Sequence, residues 1–187
     1  MKVRVLLNTN GSIKSILTGA PSLVDLNTPD QAYFVDDPDH AIDRTDYFDS
    51  NMQAFVSIGD APTDNHKFDY SFKQWLDTRT LDEIKVQKWA EIKSQRDQLE
   101  FGGFEFEGNI YDSDQVSQGR ISGAASTGVD QTWTLADNTK AELSASQLQQ
   151  LYAALQAHIA SVHERGRIAR QLIYEAETKE QVEEINL

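Results

Sequence analysis

Gly102-Gly103-Phe104-Glu105-Phe106-Glu107-Gly108-Asn109-Ile110-Tyr111-Asp112 is the stretch on which the fold turns. The paired glycines stop a preceding helix, because a residue without Cβ adopts helix-ending backbone angles at low cost. Phe104 and Phe106 alternate with glutamates, Gly108-Asn109 offers a tight turn and Ile110-Tyr111 returns, so a two-stranded hairpin is predicted. Upstream, Thr80-Leu81-Asp82-Glu83 has the form of a capping box, a hydroxyl for one orphan N–H and a carboxylate reaching back three residues later. The helix it starts presents Trp89, Ile92, Arg96 and Leu99 at spacings of three and four, one face able to cover a sheet. Downstream, Asp112 or Ser113 caps a second helix to about Ser126. Gly119 and Gly123 lie four apart on one face of it, where missing side chains let another backbone approach. Each glycine weakens a helix by about 1 kcal/mol relative to alanine, so a packing reason is expected.

Further along, Thr132-Trp133-Thr134-Leu135 faces Lys140-Ala141-Glu142-Leu143 around Asp137-Asn138, a further hairpin. Ser144-x-x-Gln147 then opens the longest helix. Leu148, Leu151, Tyr152, Leu155, Ile159, Val162, Ala169, Leu172, Ile173 and Ala176 keep its apolar spacing to about residue 176. At 1.5 Å per residue it spans roughly 45–50 Å, more than a small module is expected to cover. Part of the stripe is therefore assigned to another chain, which predicts a homo-oligomer or hetero-complex. Thr178-Lys179-Glu180-Gln181 is one more capping signal for a terminal turn or two.

The first 79 residues read differently. They hold twelve aspartates and no glutamate, whereas glutamate runs from Glu83 to Glu184 in the remainder. Aspartate competes for local backbone bonds and favours turns, while glutamate suits helix interiors. Val3, Val5 and Leu7 alternate, Asn10-Gly11 turns, and Ile13 with Ile16-Leu17 returns, giving a hairpin. Asn10-Gly11-Ser12 also spells a glycosylation acceptor, read here as the turn. Ala32-Val35, Ala54-Ile58 and Phe68-Phe72 with Trp75-Leu76 are further strand candidates. The predicted fold class is α+β: a β-rich N-terminal module, residues 1–79, then a helix-hairpin-helix-hairpin-long helix module, residues 80–187. No long internal repeat is evident.

Bulk properties narrow the partners. A formal charge of −13, from 30 acidic and 17 basic residues, repels a phosphate backbone, so nucleic acid is not an expected partner. No run approaches the about 18 consecutive apolar residues a membrane helix needs, and Met1 to Asn8 turns polar too soon for a signal peptide. No membrane is expected, and synthesis is expected in a cytoplasm. The absence of cysteine removes disulfides and thiolate zinc sites.

His158 and His163, five apart on a helix, point about 140° from each other and do not share a metal without distortion. His40 and His66 sit in aspartate-rich loops. Asp36, Asp37, Asp39, Asp43 and Asp46 form the densest acidic cluster and offer hard oxygens to calcium. They lack the D-x-D-x-D-G order and the terminal glutamate, and Pro38 stiffens the loop, so the favoured reading is a solvated acidic loop. Glu105 and Glu107 share one side of a strand at a spacing that superficially suits an inverting glycosidase, but that side faces water. Ser126, between Gly123 and Gly128, lacks nucleophile-elbow spacing. Arg165, Arg167 and Arg170 form a basic patch read as intrahelical pairing with Glu164 and Glu175. No catalytic, cofactor-binding or metal residues are assigned, and no cofactor is expected.

Trp89-x-x-Ile92-Lys93-x-x-x-Arg96-Asp97, Phe101 to Gly108, Tyr111-Asp112-Ser113-Asp114, Ser117-Gln118-Gly119-Arg120-Ile121-Ser122-Gly123-Ala124, Trp133 to Asn138 and His163-Glu164-Arg165-Gly166-Arg167 together carry a likeness. Over residues 80–180 the chain resembles a domain of unknown function that recurs in tail-fibre and tail-assembly proteins of tailed bacteriophages. Phe68 to Asp77 with Arg79-Thr80-Leu81 is similar to the lead-in that precedes that domain. The resemblance implies membership in tail, tail-fibre or fibre-assembly gene products, and the leading expectation is a non-enzymatic structural part of a virion tail, associated with fibre or baseplate and bound to other tail subunits. Alternatives are a tail-fibre assembly chaperone absent from the virion, and a host-glycan binder or hydrolase using the acidic loop. Residues 1–65 resemble nothing nameable.

Overall fold

The computed structural model describes residues 1–38 and 41–187. The chain divides into two compact units, Met1–Arg79 and Thr80–Leu187.

In the first unit, β1 (Lys2–Leu7) and β2 (Ile13–Gly19) form the hairpin expected from Asn10-Gly11. Gly11 is required there twice over: its φ is +84°, and a Cβ would lie 2.5 Å from the Phe48 carbonyl oxygen. A short helix, α1 (Pro21–Leu26), follows with proline in its first turn, a position where the missing N–H is no loss. The aspartate argument had assigned this region to strand and loop. Next, β3 (Tyr33–Asp36) pairs with β1, making an antiparallel sheet in the order β2-β1-β3. Val5, Leu7 and Phe48 are buried beneath Ile13, Ile16, Val35 and Phe55.

Two further hairpins share one local design. β4 (Tyr47–Asp49) pairs with β5 (Ala54–Val56), and β6 (His66–Asp69) with β7 (Gln74–Asp77). Phe48-Asp49-Ser50-Asn51-Met52-Gln53-Ala54-Phe55 and Phe68-Asp69-Tyr70-Ser71-Phe72-Lys73-Gln74-Trp75 are equivalent. Asp49 accepts from the N–H groups of Asn51 and Met52, and Asp69 from those of Ser71 and Phe72. Gln53 and Lys73 take positive φ, and Phe48 faces Phe55 as Phe68 faces Trp75. Tyr70 to Phe72, expected as strand, therefore forms the turn, because the aspartate before it caps that turn. The hairpins touch through the stacked Tyr47 and Phe68 rings and the Lys73–Asp49 ion pair.

In the second unit the capping boxes predicted at Thr80/Glu83, Ser144/Gln147 and Thr178/Gln181 are all formed. α2 (Leu81–Phe101) ends at Gly102, and β8 (Phe104–Phe106) pairs with β9 (Asn109–Tyr111). The turn between them is Glu107-Gly108, at φ +46° and +75°, one residue earlier than read from sequence. α3 (Gln115–Thr127) is capped by Asp114, which accepts from the Val116 and Ser117 N–H groups. β10 (Gln131–Thr134) and β11 (Lys140–Leu143) make the second hairpin of this unit, α4 (Ala145–Glu175) the long helix, and α5 (Lys179–Glu183) the terminal turn. The architecture is α+β, with strands concentrated in the first unit and helices in the second.

The apolar stripe of α4 is covered by its own chain. Leu148, Leu151 and Leu155 pack with Ile121, Phe104 and Tyr111, while Ala169 and Ile173 pack with Ile92 and Ile185. Ala176 joins Ile84 and Val182. Val162 is fully buried, and only Leu172 of the predicted stripe is largely exposed. The length argument overlooked that α2 and α5 lie along the second half of α4. For the same reason the Trp89–Arg96 face of α2 covers a helix rather than a sheet: the Arg96 stem packs over Gly166, and Arg170 sits over the Trp89 ring.

Candidate functional site

Three of the quoted motifs converge on one open groove, of about 630 Å³, in the second unit. One wall is α3, where Ser117, Arg120, Gly123 and Thr127 recur at helical spacing. The other is the run of consecutive residues from Gln131 to Leu135, and Asp112 stands at the end beyond β9. Side chains of a strand alternate between faces, so a cavity lying on one face meets every second residue. A groove lined by five in succession runs along the strand's edge.

That edge is free. The Leu135 N–H bonds to the Thr139 carbonyl, which fixes the alternation of the β10–β11 ladder. Trp133 is then a hydrogen-bonded partner of Ala141, while Thr132 and Thr134 direct their backbone N–H and C=O away from β11. β10 has β11 as its sole strand neighbour among the described residues. At Ala136 the outward N–H is taken by the Ile110 carbonyl, so β9 occupies the far end of the edge and leaves the rest open. Trp133 leans into the core below.

The groove's charged residues differ in commitment. Arg120 and Asp112 are exposed and form no hydrogen bond or ion pair among the described residues. Asp114, at the head of α3, is held below the usual carboxylate range by hydrogen bonds from the Ser117 hydroxyl and N–H. Asp137 is lowered likewise by the Thr139 hydroxyl and N–H.

Among the described residues Gly119 and Gly123 have no neighbour within 4 Å of where a Cβ would stand, so the close backbone approach expected there is not made. Gly166, inside α4, does meet a neighbour, the Arg96 stem. Glu105 and Glu107 do not form a strand pair either, because Glu107 lies in the turn and its carboxylate accepts from the Gln147 amide. His158 bonds the Leu99 carbonyl and stacks on Phe104, and His163 bonds Glu100 at 2.9 Å, so both tie α4 to the end of α2. Arg167 pairs with Glu164. Ser126 donates to the Gly123 carbonyl within α3.

In the first unit the acidic residues are distributed among backbone and basic partners. Asp36 takes a two-pronged bond from buried Arg4, at 2.5 and 2.7 Å, which lowers its pKa to about 2. Asp37 accepts from the Val3 N–H, Asp43 from Thr45, and Asp46 from the Asp43 N–H. Asp39 and His40 lie outside the described residues, and His66 bonds Thr63. No group of three or more potential ligands placed to hold a metal occurs among the described residues. A second cleft, of about 1010 Å³, runs beside the Asn8–Gly11 turn and Tyr33.

Ser113, a candidate cap for α3 by sequence, has another role, since Asp114 is the cap. It is fully buried, its hydroxyl donating to the Glu100 carbonyl at 2.6 Å and accepting from the Gly103 N–H at 2.9 Å. That residue clamps the helix end to the hairpin. Tyr111, also fully buried, has a hydroxyl without a partner among the described residues, and burial raises its pKa.

Residues 83–186 match the sequence profile of Domain of unknown function (DUF4376), more than half of the 187-residue chain. The chain belongs to that family. The DUF4376 region contains the whole groove, both of its walls and the Ser113 clamp. No curated protein and no solved structure matches the chain. Among the described residues no helix is long and apolar enough to cross a membrane.

Proposed function

We propose that this chain is a non-enzymatic structural component of a bacteriophage tail, associated with the fibre or baseplate, that holds other tail subunits. The observation carrying the binding role is the groove: its wall is a strand edge with unpaired backbone groups, a surface complementary to another polypeptide. Elsewhere the motif side chains cap helices, close turns or link elements, as Asp114, Ser113 and His163 do. Such contacts build a rigid support for a docking surface. The tail assignment is supported by the resemblance across residues 80–180 and the lead-in at Phe68–Leu81. The place of action is then the virion, after synthesis in the host cytoplasm.

Quantitative mass spectrometry of purified particles of the encoding phage tests this reading. A fixed copy number per particle is the expected result. Absence from particles, with the chain bound to fibre protein in the lysate, assigns it instead to fibre assembly.

A further inference from the structure

We infer that the groove between α3 and β10 accepts an extended, basic segment of a partner protein as an added strand on the free edge of β10. This deepens the binding role proposed above and rests on it.

Three observations fix the mode and the chemistry. First, Thr132 and Thr134 present N–H and C=O groups outward at every second residue, the repeat of an incoming strand. Second, β9 already bonds this edge at Ala136, and Asp112, the residue after β9, lines the groove. A bound segment therefore occupies the position β9 would hold if it were longer. Third, the charged lining of the groove is Asp112 and Arg120, set in a chain of net charge −13, which favours a basic partner. Asp112 is the carboxylate of that lining, and with no hydrogen bond or ion pair among the described residues it is open to a cationic side chain. Complementary charge of this kind selects the partner and speeds encounter.

The test uses the full ¹⁵N-labelled chain and a capped synthetic peptide alternating threonine and valine between two terminal lysines. The Thr132 and Thr134 amide resonances should move on titration, with the first unit's resonances unchanged. N-methylation of alternate peptide nitrogens should weaken binding at least about tenfold, since it removes edge bonds while keeping side chains. Replacing the lysines by glutamates should weaken it as well. In the chain, Thr134→Pro removes an outward N–H that makes no ladder bond, a place where proline is tolerated, and should reduce binding by a similar factor. Gly123→Leu, built into open space, should fill the groove without unfolding α3.

Unmoved Thr132 and Thr134 resonances at millimolar peptide, or full binding by both variants, would overturn the inference. So would tighter binding of the glutamate peptide, which reverses the charge assignment. Movement of the same resonances with chain concentration alone would make a second copy the occupant. A chain present at fixed copy number in particles yet silent to these peptides refutes the groove and leaves the tail role standing.

Discussion

Replacing Gly119 and Gly123 by alanine should stabilise the protein, and the size follows from what surrounds them. Both lie inside α3, and no atom comes within 4 Å of the Cβ either would gain. Neither has positive φ, so no backbone strain is introduced. What remains is the intrinsic preference for alanine in a helix, about 0.8–1.0 kcal/mol at each site. With no shared neighbour the two should add, giving about 1.5–2 kcal/mol. Urea denaturation followed by far-ultraviolet circular dichroism reads mainly the second unit, where the long helices are. With a slope of about 2 kcal/mol per molar, the midpoint of the double variant should rise by close to 1 M. Gly11→Ala provides the opposite sign: φ +84° and the Phe48 carbonyl at 2.5 Å both oppose a side chain. A drop in midpoint for Gly119→Ala or Gly123→Ala would refute the reasoning, because it would mean that something packs on that face.

Ser113→Ala leaves the Glu100 carbonyl and the Gly103 N–H without their buried partner, and should cost about 2–4 kcal/mol by the same denaturation assay. Tyr111→Phe removes a buried hydroxyl that has no partner and should leave stability unchanged or raise it by about 1 kcal/mol; a clear loss would reveal a bound internal water. Asp36, held at about 2 by Arg4, has a folded pKa below its unfolded value, so its contribution is complete above about pH 4 and fades as pH falls toward 2. Acid titration of Trp75 fluorescence, with Trp89 and Trp133 replaced by phenylalanine, should therefore show a first-unit transition in that window. Asp36→Asn should flatten it.

What the sequence disclosed was local. The three capping boxes need only a hydroxyl and an acid or amide three residues on, and each was legible; so was the Asn10-Gly11 turn, whose glycine must take positive φ. The α+β division followed from where aspartate gives way to glutamate. Other readings failed because they depend on distant partners. The coverage of α4 could not be seen, since α2 and α5 reach it from far along the chain. Gly119 and Gly123 looked like contact points and are open, whereas Gly166, in a stretch noted for its arginines, meets the Arg96 stem. Ser113 was weighed as a helix cap and is instead a buried clamp, one residue before the true cap at Asp114. The groove was hidden in a different way. Its motifs were visible one at a time, but the free edge emerges only when the β10–β11 register shows which amides face outward.

The binding role is tested most directly by cross-linking mass spectrometry on intact particles. Lys140, paired across the hairpin with Thr134, marks the groove. The account predicts cross-links from Lys140 to another tail protein, lost in the Gly123→Leu chain. A chain that is present in particles but cross-links to its neighbours only from other faces would contradict it.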